Sequence, residues 1–199
     1  MEYFITTEYI VKPVTACKII KNCSGCGRKE KFVSTGNFRV NANGNRIDIW
    51  LIYQCEKCKH TYNLTVYERI RPGKIPKELY LAFLANDEET ALRYGTDKEL
   101  FSRNKAEADW DGLEYVIEQV GENIDFNRSE SGQKVGERSV QSYLWNRDDE
   151  DKERLVIHNP YGIPIRADKI LAEILGQSRT QVKKLLKEEK IVTVEYYSV

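Results

Sequence analysis

Phe38-Arg39-Val40-Asn41-Ala42-Asn43-Gly44-Asn45-Arg46-Ile47-Asp48-Ile49-Trp50-Leu51-Ile52-Tyr53-Gln54-Cys55-Glu56-Lys57-Cys58 is the stretch that decides the fold. Apolar and polar residues alternate over 38–42 and again over 47–53, the period of a strand with one buried face. Between the runs stands Asn43-Gly44, the strongest short hairpin signal. A two-residue turn centred there sets Val40 opposite Ile47, Phe38 opposite Ile49 and Arg39 opposite Asp48. That register satisfies apolar and charged cross-strand pairs together. The second strand of the hairpin runs straight into Cys55.

Cys55 and Cys58 form one of two Cys-x-x-Cys pairs, and Cys23-Ser24-Gly25-Cys26 holds the other. A spacing of two residues lets both thiolates turn onto one metal ion, and two such pairs complete the tetrahedral sulfur shell that zinc prefers. Cys23, Cys26, Cys55 and Cys58 are therefore the expected zinc ligands. Gly25 and Gly27 suit a tight knuckle in which backbone amides point at sulfur. The second pair lacks glycine but carries Lys57 and Lys59 beside a cluster whose net charge with zinc is about −2. Four thiolates leave no position for an activated water, so the expected metal is structural. Cys17, the odd cysteine, reads as a small buried hydrophobe, and His60 as a strand residue rather than a ligand. Tyr62, Leu64 and Val66 mark a third strand within 60–69, and an earlier strand around 8–20 leads into the first knuckle. Residues 1–75 thus read as an antiparallel β zinc ribbon.

Arg71-Pro72-Gly73 and Pro76 end the ribbon pattern. From 77 to 103 the period turns helical, with Asp87 capping a second helix that Gly95 ends, and Thr96 or Asp97 capping a third. Residues 113–120 fit strand and helix alike, while 121–135 and 148–153 read as loops. The segment 76–154 is thus a helical, acidic middle region. Beyond it come a short strand at 155–158 and a turn at 159–162. A helix over 166–175 follows, stopped by Gly176, and then a helix over 179–190 opened by a Ser178–Gln181 capping box. A final strand over 191–197 completes a helix-turn-helix-strand tail spanning 155–199. The fold class is α+β.

The 199 residues carry no net charge, but the zero conceals segregation. Residues 1–75 hold 13 Lys/Arg against 6 Asp/Glu, residues 76–165 hold 11 against 20, and residues 166–199 hold 7 against 5. Basic ends either grip the acidic middle or share a polyanion. The N-terminus has no basic start with a long apolar core, and no apolar run approaches the ~20 residues of a membrane helix. A soluble cytoplasmic protein is expected.

The tail residues Arg166-Ala167-Asp168-Lys169-Ile170-Leu171 and Gly176-Gln177-Ser178-Arg179-Thr180-Gln181-Val182 resemble the ribosomal protein S-four type RNA-binding domain. The resemblance implies two helices used as a basic platform on structured RNA, with Arg166, Lys169 and Arg179 at matching positions. Lys183 and Lys187 join Arg179 on one helical stripe by spacing alone. The wider chain resembles a bacterial family of uncharacterised proteins, domain-of-unknown-function family 1062. The residues carrying that likeness are Asn22-Cys23-Ser24-Gly25-Cys26, Phe38–Gly44 and Trp50–Thr61.

Three functional classes follow. The first is a nucleic-acid-binding protein, with structured RNA met by Arg166, Lys169, Arg179, Lys183 and Lys187, and with Trp50, Tyr53, Tyr62 and Tyr67 available to stack on bases. The second is a non-enzymatic adaptor that docks another protein through its acidic middle. A DNA-binding helix-turn-helix regulator is a variant of the first. An enzyme is not expected, because the chain has no Gly-rich phosphate loop, no nucleophile motif and only two histidines.

Overall fold

The computed structural model describes residues 3–126, 141–147, 151–187 and 197–198. It is an α+β protein of two compact units, Pro13–Glu114 and, from two separate stretches, Met1–Lys12 with Tyr115–Val199. The chain therefore does not partition at residues 75 and 154 as its composition implies.

The Pro13–Glu114 unit is built on an antiparallel sheet of β2 (Lys18–Cys23), β3 (Arg28–Asn43), β4 (Arg46–Cys55), β5 (Thr61–Ile70) and β6 (Glu107–Asp109), in the order β5-β4-β3-β2-β6. Alternation along β4 and β5 puts Ile47, Ile49, Leu51, Tyr53, Leu64 and Val66 on one buried face. A sheet with one apolar face must be covered. The cover is α1 (Lys77–Ala85), α2 (Glu88–Tyr94) and α3 (Lys98–Arg103). Phe83, Ala91, Leu100 and Phe101 from these helices enter the same core as the sheet residues. This shared core is why 76–114 is no separate domain.

The caps match their sequence signals. The Asp87 carboxylate accepts from the Thr90 amide, that of Asp97 accepts from the Leu100 amide, and Gly95 ends α2. Asn86 leaves α1 in the left-handed conformation, and its side-chain oxygen accepts from the Phe38 amide at 2.6 Å. That bond joins α1 to β3 just past the irregularity between Ser34 and Phe38, where Gly36 takes φ +73°.

The hairpin forms, but its register differs from the expected one. Val40 faces Ile49, Ala42 faces Ile47, Asn41 faces Asp48 and Arg39 faces Trp50. Asn43 pairs with Arg46, so the turn is Gly44-Asn45, with Gly44 at φ +60°. Glycine at the first central position is the demand of a type II′ turn, whereas an Asn43-Gly44 turn would need positive φ at Asn43 too. Moving the turn by one residue shifts each pairing by two. The apolar face survives the shift, and the Arg39–Asp48 pair does not.

The strand expected around 8–20 is two strands in different units. β1 (Tyr3–Pro13) pairs in parallel with β9 (Asp151–Asn159), and β2 alone leads into the first knuckle. The second unit's sheet runs β10 (Tyr197–Ser198), β9, β1 and β7 (Tyr115–Phe126), with β8 (Gln141–Arg147) antiparallel to β9. Residues 115–126 are thus strand, including part of the span read as loop, and Asp151–Glu153 belong to β9. After β9, Asn159 brackets the turn by bonding both N–H and C=O of Ile163. Two helices follow, α4 (Ala167–Ile174) and α5 (Arg179–Lys187). Gly176, at φ +60°, and Gln177 return N–H bonds to Glu173 and Ala172, a Schellman closure. The Ser178–Gln181 capping box is reciprocal: the Gln181 side chain accepts from the Ser178 amide at 2.9 Å, and Ser178 Oγ accepts from the Gln181 amide at 3.2 Å. Most of the strand expected over 191–197, and the end of the helix expected over 179–190, lie outside the described residues.

Candidate metal centre and basic helix pair

Both Cys-x-x-Cys segments turn back on themselves in the same way. In the first, the Gly27 amide donates to the Cys23 carbonyl at 2.8 Å; in the second, the Lys59 amide donates to the Cys55 carbonyl at 3.0 Å. The residue after each second cysteine is left-handed, Gly27 at φ +69° and Lys59 at φ +61°. A lysine therefore fills the place that glycine fills in the first knuckle, at a backbone cost of roughly 1–2 kcal/mol. Gly25 is required by proximity, since a Cβ there would lie 3.0 Å from Cys58 Sγ.

The four sulfurs converge. All lie within 4.8 Å of one another, with Cys23 Sγ 3.4 Å from Cys58 Sγ and Cys26 Sγ 3.9 Å from Cys55 Sγ. A tetrahedron with Zn–S of ~2.3 Å has S···S edges of about 3.8 Å, inside that range. The cluster could hold one metal ion. None of these cysteines is in a disulfide.

Backbone amides aim at the sulfurs. Amides of Cys58 and Lys57 act on Cys55, which is lowered to about 7, with burial opposing them. Cys26 is pushed up to about 12 by the neighbouring Cys58 thiol and by burial. Burial also raises Cys23, against the amides of Cys26 and Gly25. Charged side chains ring the second knuckle: Lys18 to Glu56 at 2.8 Å, Arg28 to Glu30 at 2.6 Å and Lys57 to Glu30 at 3.9 Å.

His60 stands outside the sulfur cluster. Its Nε2 meets Ser24 Oγ at 2.8 Å and its carbonyl accepts from the Cys55 amide, tying the knuckles together. Cys17 is fully buried, its thiol donating to the carbonyls of Lys18 and Asp109, and burial pushes it up to about 12. Of the aromatics considered for stacking, Tyr53 is fully buried and donates to the Cys17 carbonyl. Tyr62 and Tyr67 pack against the core, Tyr67 meeting Tyr94. Trp50 alone of the four faces outward, beside Arg39.

The basic residues of the tail cluster around an acid that the sequence reading passed over. Asp168, one residue into α4, is nearly buried. Arg166 donates to it at 3.0 and 3.3 Å, Arg179 at 3.3 and 3.0 Å, and Lys183 Nζ stands 3.8 Å away. Burial works to raise the Asp168 carboxyl, and the bonds from Arg179 and Arg166 outweigh it, holding it below the usual range. Lys169 Nζ instead lies 4.8 Å over the Tyr115 ring. Lys187 is exposed near the end of α5. The signal for Asp168 was an acid among basic residues within one turn of a helix start. Among the described residues, no helix is long and apolar enough to cross a membrane.

The chain matches no curated protein and no solved structure. Residues 40–135, just under half of the chain and including the second knuckle but not the first, match the model of a family described as a protein of unknown function (DUF1062).

Proposed function

We propose that the protein is a non-enzymatic zinc-ribbon protein whose C-terminal helix pair binds the phosphates of structured RNA. The observation that carries the zinc assignment is the convergence of four sulfurs from two knuckles at near-tetrahedral separations. Cys23, Cys26, Cys55 and Cys58 would hold the ion as a closed, structural shell. Lys57 and Lys59 would offset its negative charge.

Support for the RNA reading comes from Asp168. It gathers Arg166, Arg179 and Lys183 at the N-terminal halves of two adjacent helices, where the helix dipoles also favour an anion. One carboxylate against three cations leaves a local charge of +2. With Lys169 and Lys187 the face carries a net four positive charges, so RNA affinity should fall with a log–log salt slope of about −3. Reversing Lys183 and Lys187 to Glu should weaken binding to all RNAs alike, since phosphate contacts position rather than specify. Absence of binding by the full chain at low salt would remove the RNA reading and leave the zinc assignment standing.

A protein-docking reading has one observation behind it. Leu81 and Leu84 lie three residues apart on α1 and are 52% and 53% exposed. Their replacement by Asp should leave RNA binding intact and abolish any protein partner's capture.

A further inference from the structure

The outward face of the β3–β4–β5 sheet carries an open groove of about 230 Å³, lined by Asn43, Asp48, Trp50, Thr65, Glu68 and Arg69. Its position in the fold is unusual. The pairing of β4 with β5 shifts between Ile47 and Ile49 and again between Ile49 and Trp50, so the sheet is irregular beneath it. Arg69 there adopts φ +48°, a conformation costly for a side-chain-bearing residue. Two side chains fix that backbone: Asp48 Oδ1 accepts from the Arg69 amide at 2.6 Å, and Arg46 Nη1 donates to the Arg69 carbonyl at 3.1 Å. Bulges and held backbone strain of this kind concentrate at ligand sites.

We propose that this groove binds a single guanine base, stacked on Trp50 with its donor edge on Glu68. The argument is chemical. The indole of Trp50 offers a flat π surface at the groove, and Arg39 lies 6.0 Å from its ring centroid. The Glu68 side chain is exposed and, among the described residues, makes no ion pair or hydrogen bond. A carboxylate only accepts hydrogen bonds, so its ligand must present N–H groups. Guanine alone among the bases sets two adjacent donors, N1–H and the N2 amino group, on its Watson–Crick edge. Adenine and cytosine place an acceptor beside their amino group, and uracil flanks its one N–H with carbonyls that repel a carboxylate. Arg69 and Arg39 supply positive charge for the attached phosphate. The groove's volume suits one base rather than a helix, which matches recognition of an unpaired nucleotide. This site stands whether or not the tail binds RNA.

The test is calorimetric titration of the full chain with guanosine 5′-monophosphate and, separately, adenosine 5′-monophosphate. Expected is measurable binding of the guanine nucleotide, at least about tenfold tighter than the adenine one. Trp50→Ala should lower guanine affinity roughly tenfold or more, the worth of one stacked base. Trp50→Phe should retain most of it. Glu68→Gln, an exposed change that leaves the fold intact, should weaken guanine binding and collapse the guanine-to-adenine ratio toward one. Lys183→Glu with Lys187→Glu should leave nucleotide binding unchanged, which separates this site from the tail. No binding at millimolar nucleotide, equal affinity for both nucleotides, or indifference to Glu68→Gln would each overturn the assignment.

Discussion

The side-chain amide of Asn104 docks on the backbone of Thr65 as a neighbouring strand would. Its oxygen accepts from the Thr65 N–H at 2.8 Å, and its nitrogen donates to the Thr65 C=O at 2.9 Å. β5 ends its sheet, and an open edge is a template for pairing with another chain. Asn104, at the C-terminal end of α3, covers that edge while its nitrogen also donates to the Leu100 carbonyl. From β2, one residue past its pairing with β6, Lys21 donates to the Asn104 carbonyl at 2.9 Å and lies 4.8 Å over the Tyr62 ring of β5. The sheet therefore curls until β2 and β5 meet around one residue. Asn104→Ala should cost about 1–3 kcal/mol by leaving backbone groups of Thr65 without partners. Urea denaturation would read the loss, and light scattering would read self-association through the uncovered edge.

Gly95 is held against the segment that precedes β2. Its carbonyl accepts from the Cys17 amide at 2.7 Å, and a Cβ added to it would stand 2.4 Å from Ala16 Cβ and 2.7 Å from the Ala91 carbonyl oxygen. Neither neighbour is a flexible side-chain tip that could swing away. Gly95→Ala should therefore destabilise by about 1–3 kcal/mol, the range for an overpacked core. Ala16→Gly in the same chain should recover part of the loss, because it removes the nearer of the two clashes.

Metal removal should unfold far more than the knuckles. Structural zinc supplies on the order of 10 kcal/mol to folding, comparable with the whole stability of a domain this size. Metal analysis of purified protein should find one zinc per chain. A strong chelator, or Cys23→Ser, should abolish the cooperative unfolding transition of residues 13–114. Full stability in chelator would count against a structural ion.

The Asp168 cluster gives a pH dependence of definite sign. Its folded carboxyl is held below 3.8, so the stability it contributes is present above the unfolded value and is lost as pH falls through the folded one. The protection of α5 amides against hydrogen exchange, relative to the unfolded chain, should be constant from neutrality down to about pH 4 and fall below it. Asp168→Asn should lower that protection at all pH values and remove the acid step.

The parts of this fold that were legible in sequence are those fixed by short-range chemistry. The knuckles, the Asp87 and Asp97 caps, the Gly176 stop and the Ser178–Gln181 box each depend on residues within four positions of one another. The hairpin was visible but its register was not, because the choice between Gly44-Asn45 and Asn43-Gly44 turns on the sign of φ at one asparagine. Tyr3–Pro13 and Lys18–Cys23 ran together in the sequence because the partner that separates them, Asp151–Asn159, lies about 150 residues away. Asp168 stood in the sequence only as part of the stretch Arg166–Leu171, with no role of its own. Only the approach of α5, which brings Arg179 and Lys183 beside it, makes it the centre of the basic cluster.

That distance between β1 and its partner has a consequence for biosynthesis. At the usual ~5–20 residues per second, residues 13–114 leave the ribosome several seconds before β9 is made. They hold a complete sheet, its helices and all four metal-ligand cysteines. The first strand can meet β7 early in that interval but must wait through it for β9. Its register with β9, Thr7 beside Leu155 and Ile10 beside His158, can form only once residues 151–159 have been made. Residues 13–114 can thus fold on their own sheet and metal site before β1 is joined to β9.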